Sequence, residues 1–208
     1  MYEYKRETPG CKGRKELVNK FHFGGLYQGH DGIEKFWNNV NDFILKTYEV
    51  DKIKKIFISG DGAPWIKSGA DYVAKAVFCA DKFHLMKYIN AASGQMLDDK
   101  DIAKEELWHQ LYKRSRKGFR EYTDAMIKSA NNTEPIEKLQ TYVLNNWSAV
   151  MLSLHSEIVD GCSAEGHVSH ILSDRLSSRP MGWSQRGADR MSKLRCYEKN
   201  YGRERSWS

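Results

Sequence analysis

Two aspartates come directly after segments that have the composition of buried β-strands. Asp61 comes after residues 53–59 (IKKIFIS) and lies between two glycines, and Asp81 comes after residues 76–80 (AVFCA). The glycines leave room around the Asp61 carboxylate for a metal ion and a phosphate, and carboxylate oxygens suit Mg²⁺ and Mn²⁺. An aspartate in this position also forms turns and caps helices. The residue type and its setting therefore leave a catalytic and a structural role open.

An imidazole lies close to the second of these aspartates. Asp81 and His84 are the ends of a DKFH segment, where the chain is predicted to pass from a strand into a helix. A hydrogen bond between the two side chains, which would hold the turn together, is the simpler interpretation. A direct catalytic role for the pair is the alternative.

A third acid lies much further along the chain. Glu165 falls in the first turn of a helix that is predicted to begin after Gly161, a position where a glutamate also interacts favourably with the helix dipole. His167 and His170 come next on the same helix at a spacing that suits a metal ligand pair. No third clustered ligand accompanies them, so solvated or core-edge histidines are the favoured interpretation.

The positive charge of the chain is concentrated at its C-terminal end. The whole sequence has 33 Lys and Arg against 27 Asp and Glu, a net charge of +6, and residues 175–208 account for all of that surplus. Arg175 and Arg179 are four residues apart, which suits phosphate contacts and equally suits favourable charge at a helix C-terminus. A local excess of cations is typical of a polyanion-binding surface, and a solvated tail is the alternative.

Several classes of site are disfavoured by the sequence. The four cysteines are scattered and form no C-x-x-C pair, so a structural zinc site is not expected. No apolar core comes after Met1 and no apolar run reaches the roughly 20 residues that cross a bilayer. We therefore expect a reduced, cytoplasmic setting and no membrane partner.

The elements that must position the acids alternate between strand and helix. Residues 2–27 are predicted to form a hairpin, in which the residues from Leu17 to Tyr27 have a strand-like pattern. Residues 31–44 have the apolar spacing of an amphipathic helix. Residues 65–75 are long enough for a short crossover helix, so the strands that precede Asp61 and Asp81 are expected to be parallel neighbours. Ligand chemistry collects at the carboxyl ends of such strands.

A long helical block comes after this α/β region. Apolar residues recur with helical spacing between residues 83 and 155, with Leu97 and Ile102 among the expected core positions, and the block is interrupted once near residues 131–135. A further helix is predicted from residue 161 to residue 177.

Three segments together resemble transposases of ISLre-type insertion sequences, which are also catalogued as an uncharacterised protein family. They are GDGAPWIKSG (residues 60–69), DKFHLMKYI (residues 81–89) and SAEGHVSHILSDRLSSRPMGW (residues 163–183), and GRKELVNKFHFGGLY near the start adds to them. The resemblance covers essentially the whole chain. Each motif alone is modest, whereas all three in this order and spacing are highly specific.

The resemblance implies the Mutator-like branch of DDE transposases, in which two aspartates and a glutamate on a ribonuclease H-like fold hold two Mg²⁺ or Mn²⁺ ions. By position, Asp61 corresponds to the second acid and Glu165 to the third, while Asp81 and His84 are expected to support the site. DNA and further copies of the complete enzyme are the implied partners. The implied DNA-binding residues are Arg175, Arg179, Trp183, Arg186 and Arg190.

The resemblance also predicts a domain division and a departure from the family pattern. The fold class is α/β, an incomplete ribonuclease H-like fold interrupted by an all-helical insertion. Residues 1–84 would form the partial core, residues 85–155 the insertion, residues 156–180 a core helix with Glu165, and residues 181–208 a basic tail. The first catalytic aspartate of the family has no counterpart, so we expect an N-truncated fragment, a decayed element or a wrongly assigned start, and a chain that is inactive alone.

The sequence supports three functional hypotheses. The first is DNA transposition by metal-assisted phosphoryl transfer, complete in the parent enzyme. The second is a catalytically inactive DNA-binding remnant, in which Asp61 and Glu165 are surface acids. The third, an unrelated metal hydrolase, would need a self-sufficient set of ligands that the sequence does not provide.

Overall fold

The computed structural model describes residues 1–8, 15–156, 159, 171 and 182–202, and all structural statements concern these residues. They form a mixed α/β structure that is mostly helical, with two small two-stranded sheets. The chain divides into two compact units. The first consists of Met1–Ile44 with Ser163–Ser208, and the second is Leu45–Cys162. The ribonuclease H-like arrangement and the four-part domain division stay predictions.

The first unit begins with the expected hairpin. Strand β1 (Tyr4–Glu7) pairs antiparallel with β2 (Lys15–Val18), so that Tyr4 lies opposite Val18. Asn19 then has a φ of 50°, a left-handed conformation that ends an extended strand. Residues 19–28 contain neither helix nor strand. The predicted continuation of the strand to Tyr27 is therefore wrong.

Helix α1 (Gly29–Thr47) confirms the amphipathic helix expected after the hairpin. Its buried residues are Trp37, Val40 and Ile44, which lie on one face because they are three and four residues apart. The aromatic residues before the helix add to this core. The ring of Phe21 stacks on Phe43 with 4.0 Å between centroids.

The C-terminal basic segment contains a helix that the sequence patterns do not predict. Helix α9 spans Gln185–Tyr201, and its N-cap Ser184 accepts a hydrogen bond from the backbone N–H of Gly187 at 3.1 Å. An N-cap serine of this kind satisfies one of the free N–H groups of the first turn. Most of the predicted tail of residues 181–208 thus lies in helix α9.

The second unit contains the two strands that precede the aspartates. Strands β3 (Ile56–Gly60) and β4 (Ala76–Ala80) pair in parallel, with Gly60 opposite Ala80. Two short helices, α2 (Pro64–Lys67) and α3 (Gly69–Tyr72), form the crossover. The expectation of parallel neighbours joined by a helical connection is confirmed, although the connection is two helical turns and not one helix.

Five helices then form the expected helical block. They are α4 (Lys82–Ser93), α5 (Lys100–Tyr112), α6 (Arg116–Ser129), α7 (Glu134–Asn145) and α8 (Trp147–His155), with a 3₁₀ segment at Gly94–Asp99 between α4 and α5. Two of the predicted core positions are wrong. Leu97 is 75% exposed and has a φ of 44°, and Ile102 is 66% exposed.

One hydrophobic core joins these helices to the sheet. Its fully buried members include Leu85 of α4, Leu107 of α5, Phe119 of α6 and Val143 of α7, and Ala80 at the end of β4 belongs to the same cluster. Strand β4 also packs on α8. The helices therefore hold the carboxyl end of β4 directly. None of the helices in the described part of the chain is long and apolar enough to cross a bilayer.

Candidate functional site

Asp61 lies at the carboxyl end of β3 with its side chain exposed. Its Oδ1 accepts a hydrogen bond from the backbone N–H of Ala63 at 3.0 Å, which fixes the carboxylate on the turn. One oxygen is thereby oriented by the backbone, and the other remains available to a ligand from solvent. An oriented and accessible carboxylate is what coordination of a hard divalent cation requires.

The glycines beside Asp61 are required by the geometry of the turn. Gly62 has a φ of +93°, which L side chains rarely adopt. A Cβ on Gly60 would lie 2.8 Å from Cδ1 of Ile66, and one on Gly62 would lie 3.3 Å from Cε2 of Tyr142. Strand, crossover helix and α7 therefore meet at this turn, and larger residues do not fit beside Asp61.

Asp81 comes after β4 at the same edge of the sheet, because its backbone N–H donates to the carbonyl of Gly60 at 2.9 Å. Unlike Asp61, it is only 6% exposed. Its Oδ1 accepts from the backbone N–H of Phe83 at 3.2 Å and caps helix α4. Its Oδ2 lies 2.8 Å from Nδ1 of His84. Both oxygens of this carboxylate are therefore engaged within the protein.

The sequence favours a hydrogen bond between the side chains of Asp81 and His84, and the structure confirms it. When Nδ1–H of His84 donates to the carboxylate, the other ring nitrogen, Nε2, carries the free lone pair. The His84 side chain is 32% exposed. An oriented imidazole with a solvent-accessible edge can accept a proton or a hydrogen bond from a bound molecule.

Tyr142 of helix α7 is a neighbour of both aspartates that no sequence pattern singles out. Its ring stacks on Tyr88 with 4.7 Å between centroids, and its hydroxyl is buried without a hydrogen-bond partner among the described residues. Burial raises the pKa of this phenol most, and the charge of Asp81, the neighbouring Tyr88 and the charge of Asp61 raise it further. The helical block thus places a neutral, buried phenol behind the two strand ends.

The described residues supply only part of a metal site. Asp61 has the ligand type and the exposure that Mg²⁺ or Mn²⁺ needs, whereas the carboxylate of Asp81 is already occupied. Within the described residues, no three His, Cys, Asp or Glu side chains cluster as a complete metal site would. Any full set of ligands must therefore include a group beyond them.

Three predicted site residues lie outside the described residues, namely Glu165, Arg175 and Arg179. The helix predicted from residue 161 to residue 177, including His167 and His170, lies there too. Whether Glu165 joins Asp61 thus stays a prediction.

The three other predicted DNA-binding residues lie at the start of helix α9. Trp183 precedes the N-cap, and its indole lies 3.2 Å from where a Cβ of Gly187 would be. Arg186 and Arg190 are both exposed on the helix. Their spacing of four residues places them on one face.

Helix α9 is held by contacts with the segment that comes after the hairpin. Asn200 makes a pair of bonds with the backbone of His22, accepting from its N–H at 2.9 Å and donating to its carbonyl at 2.9 Å. Asp189 accepts from the backbone N–H of Leu26 at 2.9 Å. Gly24 allows close approach, because a Cβ there would lie 2.5 Å from Sγ of Cys196. The helix is therefore docked by specific polar contacts.

Comparison with known proteins gives a consistent family assignment. The profile of an uncharacterised protein family (UPF0236) matches residues 5–207. Two UPF0236 proteins of Caldanaerobacter subterraneus subsp. tengcongensis are each 40% identical to this chain over 212 residues, which is 100% of this chain and 44% and 41% of theirs. A third, from the same organism, is 38% identical over 43% of its length, and its name joins eleven locus designations.

The chain spans less than half the length of these curated relatives. No solved structure matches it. The family profile matches nearly every residue, and the relatives align with the whole chain. The chain therefore belongs to the uncharacterised protein family UPF0236.

Proposed function

We propose that this chain carries part of the catalytic core of a DDE-type DNA transposase, of the ISLre type and the Mutator-like branch, on a ribonuclease H-like fold. The observation that supports it most is the exposed, backbone-oriented carboxylate of Asp61 at the carboxyl end of a parallel strand. Parallel strand ends are where open α/β sheets bind ligands. The glycines on both sides permit the tight turn that leaves this carboxylate exposed.

Asp61 and Glu165 are the proposed metal ligands in this chain. Two Mg²⁺ or Mn²⁺ ions, when bound, activate the attacking hydroxyl group and stabilise the leaving oxygen during phosphoryl transfer. Asp61 would hold its carboxylate in place through the bond from Ala63. Glu165 would approach from the helix predicted around it.

Asp81 and His84 are proposed to support this site and not to bind metal. Asp81 fixes the first turn of α4 and the orientation of the imidazole. His84 could then hold a proton at Nε2 and donate it to a phosphate oxygen, or accept a hydrogen bond from a bound water. Outer residues of this kind orient the groups that contact substrate.

DNA is the proposed partner, and the complete enzyme is proposed to act as a homo-oligomer on DNA in the cytoplasm. Arg186 and Arg190 on α9, with Trp183 before it, would contact the DNA together with Arg175 and Arg179. The eleven locus designations joined in the name of one relative fit a protein that is encoded by an element present in many copies.

A catalytically inactive DNA-binding remnant is the second candidate. It is favoured by one observation, the lack of a three-ligand cluster among the described residues. Under this hypothesis the basic residues of α9 keep their role, whereas Asp61 is only a turn-forming acid.

The test needs a protein of the relatives' full length. In a chimera, this chain replaces the matching 212 residues of a relative that is 40% identical, and the native relative is assayed beside it. The substrate is a supercoiled plasmid that carries the DNA flanking the relative's gene, and the assay measures cleavage with Mg²⁺ or Mn²⁺ and with a chelator.

Metal-dependent cleavage is expected, and Asp61→Asn and Glu165→Gln should each abolish it while DNA binding persists. Asp71→Asn is the matched control, because Asp71 is an exposed acid on the neighbouring helix α3. Cleavage that survives both site substitutions would refute the choice of acids. Binding without any cleavage, by the chimera and the relative alike, would favour the remnant.

A further inference from the structure

Helix α9 presents one exposed face of unusual composition. An α-helix turns by about 100° per residue, and on this basis six residues of α9 fall within one face that spans about 100° of its circumference. All six are exposed. They are Arg186, Arg190, Lys193, Leu194, Tyr197 and Tyr201, which we call the α9 outer face.

The contacts of the adjoining face of the helix fix the direction of the α9 outer face. Ser192 and Cys196 are buried at 6% exposure each, and Asp189 and Asn200 bond to the backbone of Leu26 and His22. These hydrogen bonds join two side chains of α9 to the backbone of another segment, so the helix cannot rotate about its axis without breaking them. The outer face is therefore a fixed surface in the described structure.

The charge of the α9 outer face is entirely positive. It contains three cations and no acid; Lys193 pairs with Asp189 at its edge, 2.7 Å away. Arg186 and Arg190 have no ion-pair partner among the described residues. The other acid of the helix, Glu198, bonds instead to Arg195 at 3.1 Å. Two arginines that leave their charge unpaired point to a polyanionic occupant.

Two tyrosines lie on the same face, at its C-terminal end beyond the three cations. Tyr197 is 62% exposed and Tyr201 is 53% exposed, and their ring centroids are 5.0 Å apart. Exposed rings beside a row of cations are one arrangement by which proteins bind unpaired strands, because bases stack on the rings while the cations contact the phosphates along the strand. Bases inside a duplex are already stacked on each other and are not accessible to such rings.

We propose that the α9 outer face binds a single-stranded nucleic acid segment, with Tyr197 stacking on a base and Arg186 and Arg190 contacting phosphates. The identification of the strand as DNA rests on the proposed function, since strand cleavage frees an end from its partner. The preference for unpaired bases rests on the composition and exposure of the face alone.

The test uses the full 208-residue chain and fluorescence anisotropy with three labelled probes. They are a mixed-sequence DNA strand of about 16 nucleotides, the upper end of common site sizes, the same strand without its bases, and the matching duplex. The strand with bases should bind most tightly, by about fivefold or more, which is the low end of the fold-change for one stacked base.

Variants separate stacking from other contacts. Tyr197→Ala should weaken binding of the strand by about 5- to 150-fold, whereas Tyr197→Phe should keep it, because the ring remains. If the hydroxyl instead contacted a phosphate, both variants would lose affinity equally. Tyr112→Ala is the matched control, since Tyr112 is 58% exposed on α5, and thermal unfolding checks that each variant is folded.

The arginines are tested through salt dependence. Arg186→Gln with Arg190→Gln should lower the slope of log affinity against log salt by about 1.4, at about 0.7 per phosphate contact on a single strand. Lys117→Gln on α6 is the control, because the Lys117 side chain is 87% exposed and lies outside the face. An unchanged slope would contradict the phosphate contacts.

Three results would overturn the proposal. The first is equal binding of the strand, the abasic strand and the duplex, and the second is unchanged binding of the strand by Tyr197→Ala. The third is self-association of the chain that Tyr197→Ala abolishes, which would identify a second copy as the occupant. The result is independent of catalysis. Strand binding by the chain, with no cleavage by the full-length chimera or the relative, would leave this proposal standing and contradict the proposed function, and cleavage by the chimera without a strand preference in the chain would do the reverse.

Discussion

Strands β3 and β4 run in parallel and an aspartate comes directly after each, yet the two carboxylates have different surroundings. Asp61 is exposed and accepts one backbone hydrogen bond. Asp81 is 6% exposed, and both of its oxygens are bonded, one to the backbone of α4 and one to His84. The difference arises from the element that succeeds each strand. A glycine turn leads away from Asp61, whereas helix α4 begins directly after Asp81.

This comparison shows that position in a sheet does not determine the role of an acid. Both aspartates satisfy the rule that ligands collect at the carboxyl ends of parallel strands. Only Asp61 keeps a carboxylate oxygen available to a cation. Asp81 contributes to folding and orients His84, so substitutions at the two positions should separate stability from activity.

The largest effect on stability is expected from Asp81→Ala. Losing an N-cap and leaving His84 without its partner should lower the free energy of unfolding by about 1 to 3 kcal/mol. Asp61→Ala should change it by less than about 0.5 kcal/mol, as an exposed substitution normally does. Urea unfolding of the chain, monitored by circular dichroism, measures both. Equal losses would show that Asp61 is also structural.

A smaller effect is expected from Gly62→Ala. The alanine would have to adopt a φ of +93° and bring its Cβ within 3.3 Å of Tyr142, so stability should fall by about 1 to 2 kcal/mol. Gly94→Ala is the control at the end of α4, because Gly94 has a φ of −62° and a Cβ there meets nothing within 4 Å. That substitution should raise stability by about 0.4 to 1 kcal/mol. A harmless Gly62→Ala would mean that the turn beside Asp61 is not constrained.

The smallest effect is expected from Tyr142→Phe, and it depends on pH. At neutral pH the variant should be as stable as the parent or up to about 1 kcal/mol more stable, because the hydroxyl is buried and has no hydrogen-bond partner in the described part of the chain. Burial raises the pKa of Tyr142 above its ordinary value of 10.0. Above pH 10 the unfolded chain loses this proton while the folded chain keeps it, so the parent loses stability as pH rises.

The advantage of Tyr142→Phe should therefore grow above pH 10, by at most about 1.4 kcal/mol per pH unit. Unfolding measured in urea at several alkaline pH values tests this. A difference between variant and parent that stays constant from pH 8 to pH 11 would contradict a buried, proton-retaining phenol.

Local sequence patterns predict much of this fold. Strand β4 is predicted residue for residue at Ala76–Ala80, and the length of the connection between β3 and β4 predicts their parallel pairing. Runs of β-branched and apolar residues that end at a polar residue are enough to locate short buried strands. The helical block is predicted for the same reason, from the period of its apolar residues.

The errors arise where packing does not use large apolar residues. Helix α9 docks through Ser192, Cys196 and Asn200, which give no apolar periodicity. Leu97 is apolar but lies at a left-handed position in the 3₁₀ segment, which directs it to solvent. The proximity of Tyr142 to the strand ends is a contact between distant parts of the sequence, and no local pattern encodes it.

The most direct test of the difference between the two aspartates is a crystal structure of the chain with Mn²⁺, in which anomalous scattering locates the ion. We expect Mn²⁺ at about 2.0 to 2.3 Å from a carboxylate oxygen of Asp61, with the carboxylate of Glu165 in the same cleft and Asp81 still bonded to His84. An ion on Asp81 instead of Asp61, or Asp61 and Glu165 on opposite faces of the protein, would contradict it.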